Sequence, residues 1–311
     1  MCTDTDGTIK SEICTSQRRG FDVCPACEKS KEIFGKELTK LCQSGVDYVQ
    51  AMDQNHGGGS YFCYRDKHGH VPAPGKWQAE ETLALLKRID RGQVLLGCES
   101  ASADPFLSEL QFSDNRFELC YYIGLPVPLY SYIYHEYVNN FMGNQICMML
   151  SYEEYNYPYR VAHSFVCGDM LTAVIDDKQN IGYAWGGSCF KIHTDKGHAY
   201  AMLKNLNAWR QKGGKSFLHL GRMVKPLPLH TVGKNSFVLE DKSTLYVEKV
   251  LTSAFEYEGD VAQFAVNYNA APITVTTEQS VDVYKNADMT DVDRGVCEFV
   301  IPAHSAVMLK K

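Results

Sequence analysis

Two stretches of this chain share one layout, an apolar strand that ends on an acid, and that layout narrows what the chain can fold into. The first lies in Gly45–Trp77, GVDYVQAMDQNHGGGSYFCYRDKHGHVPAPGKW. Val46 to Asp53 reads as a largely apolar strand, the pattern of a parallel strand covered on both faces. It closes on Asp53 and runs into a polar, glycine-rich loop beginning Gln54-Asn55-His56. The second is QVLLGC, residues 93–98, which runs into Glu99. In an α/β barrel, side chains at the carboxyl ends of the strands reach one shared pocket. The layout therefore predicts a barrel-type α/β unit with Asp53 and Glu99 at its rim.

The rest of the chain alternates in the same sense. Helices are expected over about 26–42, with Phe34, Leu38, Leu41 and Cys42 on one face, and over about 78–90, with Leu83, Leu86 and Ile89 inward. Gly45 stands where the first should stop. Asp104-Pro105 reads as the start of a third helix, reaching Phe112. Val127–Tyr134 and Val161–Asp169 read as further strands. A helix over about 194–212 carries Met202, Leu206 and Trp209, and Gly213-Gly214 ends it. Residues 1–24 are polar and show no period. After residue 214 the period drops to two: Phe264, Val266 and Tyr268; Ile273 and Val275; Val281 and Val283; Val307 and Leu309. That marks an antiparallel β module. The expected organisation is a β/α barrel portion over 1–214 followed by an all-β sandwich over 215–311. About four barrel strands are legible where a closed barrel has eight. Either three or four strands lie upstream of residue 1 or the sheet is open, and the expectation is the carboxyl-terminal portion of a barrel.

Composition sets the class of partner. The net charge of −6 gives no electrostatic case for nucleic acid or an acidic membrane surface. The first twenty residues are polar, with neither a signal peptide nor a membrane-spanning run. The 12 cysteines sit in a long chain with enough apolar residues for a core, and several fall inside strands, so free thiols in a reducing, cytoplasmic setting are expected. The 19 tyrosines suit a polar, ring-shaped ligand, although most such residues fill core and surface.

Asp53 and Glu99 lie 99 − 53 = 46 residues apart, one strand–loop–helix–strand step. Two carboxyl groups on neighbouring strands suit retaining glycoside hydrolysis, in which nucleophile and proton donor stand about 5–5.5 Å apart. The shorter Asp53 fits the nucleophile. Glu99, after an apolar strand, fits the donor, its pKa raised by burial and by the nearby charge. The other reading is that both acids only cap the turns that follow them.

The run 45–54 with Cys63, His68-Gly69-His70, Gly75 and Trp77, then LLGCESASADPF and PLYSYIYHEYV, resembles a glycosidase-like domain family. That family is similar to the endo-α-N-acetylgalactosaminidases and related α-N-acetylgalactosaminidases. The resemblance covers most of residues 20–300. It implies a barrel hydrolase in which an Asp closing strand four is the nucleophile, here Asp53, and a Glu closing strand five the acid/base, here Glu99. The mechanism needs no metal or organic cofactor, and its partner is a carbohydrate. A non-catalytic sugar-binding protein, or a half-barrel active only with its upstream segment, is the alternative.

Around the acids, Gln54, Tyr64, His68 and His70 are candidates for contacts with sugar hydroxyls or a sugar face. Trp77 is expected to pack beneath the loop. Tyr134, His135 and Glu136 close the expected third strand, with Glu136 the rival proton donor, and Asp169 closes the fourth. A metal role for His68 and His70 lacks a third ligand at a telling spacing. Cys24-Pro25-Ala26-Cys27 with Cys14 and Cys42 lacks the second close cysteine pair of a zinc ribbon. No metal ligand is assigned from the sequence.

Overall fold

The computed structural model describes residues 1–15, 18–52, 62–115, 127–142, 155–175, 177–182, 194–238 and 242–311. The chain divides into two compact units, Met1–Asp114 and Asn115–Lys311. The change of texture at residue 214 falls inside the second.

The first unit opens with a hairpin, β1 (Ser11–Thr15) and β2 (Arg18–Phe21), where the sequence suggests irregular chain. Its strands are short and polar, so no apolar alternation announces them. Helix α1 (Glu28–Cys42) carries an acid in its first turn and Lys40 in its last, matching the helix dipole. Phe34, Leu38 and Cys42 pack inward as expected, whereas Leu41 is exposed. Strand β3 (Tyr48–Met52) follows, then α2 (Trp77–Leu86), β4 (Leu95–Cys98) and β5 (Phe112–Asp114). The expected helix beginning at Asp104 is a single 3-10 turn, Asp104–Phe106, and the chain extends into β5. Strands β3 and β4 pair in parallel, Tyr48 opposite Leu95 through Met52 opposite Cys98, with an irregularity between Gln50 and Met52. Val49, Ala51, Leu86, Ile89, Leu96 and Cys98 share the core between sheet and helices. Gln50 is exposed between buried Val49 and Ala51, so β3 is covered on one face rather than both.

The second unit begins with α3 (Leu129–Tyr134), β6 (Asn139–Phe141) and α4 (Asn156–Val166). Both segments expected as barrel strands three and four, Val127–Tyr134 and Val161–Asp169, are therefore helical. In α4 every residue but His163 is buried, and the run expected as a strand, Val161–Asp169, takes in only the last six residues of the helix, too short an apolar run for periodicity to tell helix from strand. In α3 the β-branched and aromatic content misleads, because β preference is context-dependent. Tyr134 and His135 thus end a helix, not a strand.

Strands β7 (Val174–Ile175) and β8 (Ile181–Gly182) form a small ladder. Helix α5 (Lys196–Gln211) buries Ala199, Met202, Leu206 and Trp209, the predicted stripe, and Asp195 caps it by accepting from the Gly197 and His198 N–H groups. A short α6 (Lys215–Leu220) takes up Phe217 before the β region. Then come β9 (Arg222–Val224), β10 (Lys234–Val238), β11 (Thr244–Glu248), β12 (Val250–Tyr257), β13 (Asp260–Asn267), β14 (Ile273–Tyr284), β15 (Val292–Ile301) and β16 (Ser305–Lys310). Six of these make one antiparallel sheet, ordered β15-β14-β16-β13-β12-β9, and β10 and β11 pair as a separate hairpin. The alternation at 273–283 belongs to one long strand with a register irregularity between Thr276 and Val281. One set of sheet residues, including Phe255, Phe264, Val266 and Met308, packs with α4 and α5, and another, including Val275, Val283 and Phe299, forms a second cluster with Leu227 and Leu229. Trp209 also donates its indole N–H to the Ala306 carbonyl at 3.1 Å.

Candidate functional site

The candidate site begins where β3 and β4 end. The Glu99 N–H donates to the Met52 carbonyl at 3.1 Å, extending the parallel ladder to the residue before Asp53. Asp53 and Gln54 themselves lie outside the described residues. Glu99 is buried, and Ser100 after it adopts φ 75°, a left-handed conformation uncommon for serine. The Ser100 N–H donates to the Asp114 carboxylate at 2.5 Å, and Ser113 Oγ accepts from the Cys98 N–H at 3.1 Å. The strained turn behind Glu99 is thus held by two side chains of β5. Sequence reasoning passed over Asp114, because a three-residue strand carries almost no periodic signal.

The close approach of β5 depends on Gly97. A Cβ there would lie 1.8 Å from the Phe112 carbonyl oxygen and 2.8 Å from the Tyr48 hydroxyl. Tyr48 packs edge-on against Phe112, with ring centroids 5.3 Å apart. Burial, with Asp114 and Cys98 nearby, pushes its phenol well above the ordinary value, so it stays neutral.

Tyr64, His68 and His70 follow in the same unit. Tyr64 is half-buried and its N–H donates to the Thr3 carbonyl at 3.0 Å. His68 ends a 3-10 turn, and Gly69 at φ 78° reverses the chain so that the two imidazoles stand 6.0 Å apart, centre to centre. They face sulphur: Cys63 Sγ lies 3.4 Å from His68 Nδ1, and Cys24 Sγ lies 3.3 Å from His70 Nε2. Hydrogen bonding from Cys2 is the chief influence holding the Cys24 thiol far below its ordinary range, while Cys2 is pushed up. Trp77 lies flat on His70, centroids 3.7 Å apart at 9°, so it packs under the loop as expected.

The remaining candidates belong to the second unit. Tyr134 packs against the Tyr130 ring at 4.9 Å, and Glu136 is exposed. His135 is buried, its Nδ1 2.6 Å from the Gly221 carbonyl, and burial lowers its pKa. Asp169 is 2% exposed and accepts from Asn115 Nδ2 at 3.1 Å on each oxygen. Burial raises its pKa to about 6, opposed by the Asn115 hydrogen bonds and the Arg160 and Arg210 charges. Arg160 is fully buried and donates to the Met142 carbonyl at 2.5 Å and the Asn115 carbonyl at 3.2 Å.

A comparison with family models finds no match, and neither does one with curated proteins. Solved structures do share the fold. Trehalulose synthase MutB from Pseudomonas mesoacidophila aligns with a TM-score of 0.54 at 11% identity, over 95% of this chain and 70% of that one. A noncanonic maltogenic α-amylase, AmyB from Thermotoga neapolitana, aligns with a TM-score of 0.51 at 13% identity, over 99% and 69%. The α-amylase from Geobacillus thermoleovorans, complexed with acarbose, aligns with a TM-score of 0.51 at 10% identity, over 94% and 66%. An inactive MutB variant was solved with isomaltulose. These neighbours are thus a trehalulose synthase and two α-amylases. At this identity the likeness is one of fold alone: a mixed α and β architecture with an antiparallel sheet at its carboxyl end. Among the described residues no helix is long and apolar enough to cross a membrane.

Proposed function

We propose that the chain is a glycoside hydrolase that cleaves by retention, with Asp53 attacking the anomeric carbon and Glu99 protonating the leaving oxygen. The observation that carries this reading is the parallel β3–β4 ladder. Met52, the residue before Asp53 in the sequence, stands opposite Cys98, the residue before Glu99, and the Met52 carbonyl receives the Glu99 N–H. A double displacement uses two acids about 5–5.5 Å apart, and acids that follow adjacent parallel strands suit that spacing. A barrel places such groups at the carboxyl ends of its strands, and the fold is shared with a trehalulose synthase and an α-amylase. The turn at Ser100, held by Asp114, aims Glu99 and limits its motion. In the proposed cycle Asp53 forms a glycosyl ester while Glu99 donates its proton. Glu99 then takes a proton from water, which attacks the ester and releases the sugar with its configuration kept.

The substrate is a carbohydrate. The residues that resemble the α-N-acetylgalactosaminidases narrow the proposal to an α-N-acetylgalactosaminide, with α-glucosides the class suggested by the structural neighbours. Asp53→Asn and Glu99→Gln are tested on aryl α-N-acetylgalactosaminides and aryl α-glucosides. The expected result is loss of turnover for Asp53→Asn on every substrate. Glu99→Gln should retain some activity on substrates with good leaving groups, because those need no proton. Undiminished turnover by Asp53→Asn removes it from the role. Sugar binding without turnover by the wild-type chain supports a binding protein instead.

A further inference from the structure

We propose that Cys24, Cys63, His68 and His70 form a tetrahedral site for a zinc-class divalent cation, a structural clip on the loop that follows β3. Among the described residues they are the one group of three or more His, Cys, Asp or Glu side chains placed to share an ion, and their four donor atoms all lie within 4.8 Å of one another. Bond lengths of about 2.3 Å to sulphur and about 2.0–2.1 Å to nitrogen imply donor–donor edges of about 3.3–3.8 Å in a tetrahedral site. The Cys24–His70 and Cys63–His68 separations, 3.3 and 3.4 Å, are already at that length. The widest separation closes by about 1 Å when the ion enters.

The surroundings fit a metal centre in three further ways. His70 Nδ1 lies 2.7 Å from the Val71 carbonyl, and donation there leaves the Nε2 lone pair pointing at the site. Such a backbone partner on the far nitrogen is the usual orienting contact of a metal-bound histidine. Trp77 lies flat on the same ring and donates its N–H to the Ala73 carbonyl at 2.8 Å, which fixes the imidazole plane. Two thiolates and two neutral imidazoles balance a divalent cation, so a site with both sulphurs fully buried carries no net charge.

The alternative is that these thiols are small core hydrophobes. Among the described residues the buried members of their cluster are Cys2, Cys24 and Cys63 alone, and Ala26, Cys27 and Trp77 pack on it only partly buried. Yet three chain segments meet there. The Cys2 N–H donates to the Asp22 carbonyl at 2.8 Å, and the Tyr64 N–H to the Thr3 carbonyl at 3.0 Å. A closed four-ligand site supplies the free energy that so little apolar surface cannot. All four positions are filled by protein, so the ion has no place for water or substrate, and its role is to hold the chain ten residues past Asp53 (63 − 53 = 10). The cysteine pair at Cys24-Pro25-Ala26-Cys27 contributes one ligand only.

The test uses the full chain, purified without a metal-affinity tag, with zinc measured by elemental analysis after dialysis. One zinc per chain is expected in the wild type, none in a Cys63→Ser, His70→Ala double variant, and one in Cys27→Ser. The cobalt-substituted wild type should show thiolate-to-cobalt charge transfer with the visible bands of a tetrahedral centre. X-ray absorption of the zinc form should give two sulphur and two nitrogen neighbours. Should the double variant fail to fold, those two spectra on the wild type still decide. A wild type without zinc, retention of zinc by the double variant, an oxygen-ligated six-coordinate cobalt spectrum, or a disulfide joining Cys24 to Cys2 or Cys63 would each overturn the assignment. None of these outcomes bears on the glycosidase reading.

Discussion

Asp169→Asn isolates the most heavily buried carboxylate among the described residues of the second unit. Its pKa rises from the ordinary 3.8 to about 6, chiefly because burial penalises the charged form. The folded state then binds this proton more tightly than the unfolded chain does. Between pH 3.8 and 6 the folded form holds more protons, so stability falls as pH rises through that window. At about 1.36 kcal/mol per pKa unit, the interval corresponds to about 3 kcal/mol, and full burial leaves no solvent screening to discount it. Asparagine does not titrate there. It sets the Asn115 donors against a second amide, a cost constant from about pH 4 to 7, while the attraction of Arg160 and Arg210 for the ionised carboxylate is already contained in the pKa of about 6. The difference in unfolding free energy, variant minus wild type, should therefore rise by about 3 kcal/mol across that range. Urea unfolding followed by circular dichroism at half-unit pH steps measures it. A difference that stays flat would mean that the two arginines keep Asp169 ionised throughout, and the reasoning from burial would be wrong.

Other perturbations test the geometry around the candidate site and the second unit. Gly97→Ala forces a methyl group against the Phe112 carbonyl at 1.8 Å and should cost about 3 kcal/mol, at the upper end for overpacking, in thermal or urea unfolding of the first unit. Turnover should fall with it, since β5 supports the turn behind Glu99; unchanged stability would show that β5 does not pack there. Asp195→Ala removes the cap of α5 and should cost about 1 kcal/mol, or about 2–4 °C in the second unit's melting temperature. A smaller loss for Asp195→Ala than for Asp195→Gly would argue against capping as the cause.

The helices with a clear apolar stripe are readable from the sequence alone. Met202, Leu206 and Trp209 in α5, and Phe34 and Leu38 in α1, recur at helical spacing because one face is wet and the other dry. The antiparallel sheet after residue 214 is readable for the corresponding reason, a period of two in β14. The apolar runs of β3 and β4, each followed by an acid, pointed to parallel neighbours, and the ladder pairs them in parallel. Tertiary structure decided what periodicity leaves undetermined. Helix α4 ends in the short apolar run Val161–Val166, and a run of that length reads as a strand until packing places it. The meeting of Cys24 with Cys63, His68 and His70 spans 70 − 24 = 46 residues, and the sequence spaces only His68 and His70 closely. Local spacing reports faces of single elements. Which distant side chains share one small volume is set by how those elements pack, and no short-range pattern records it.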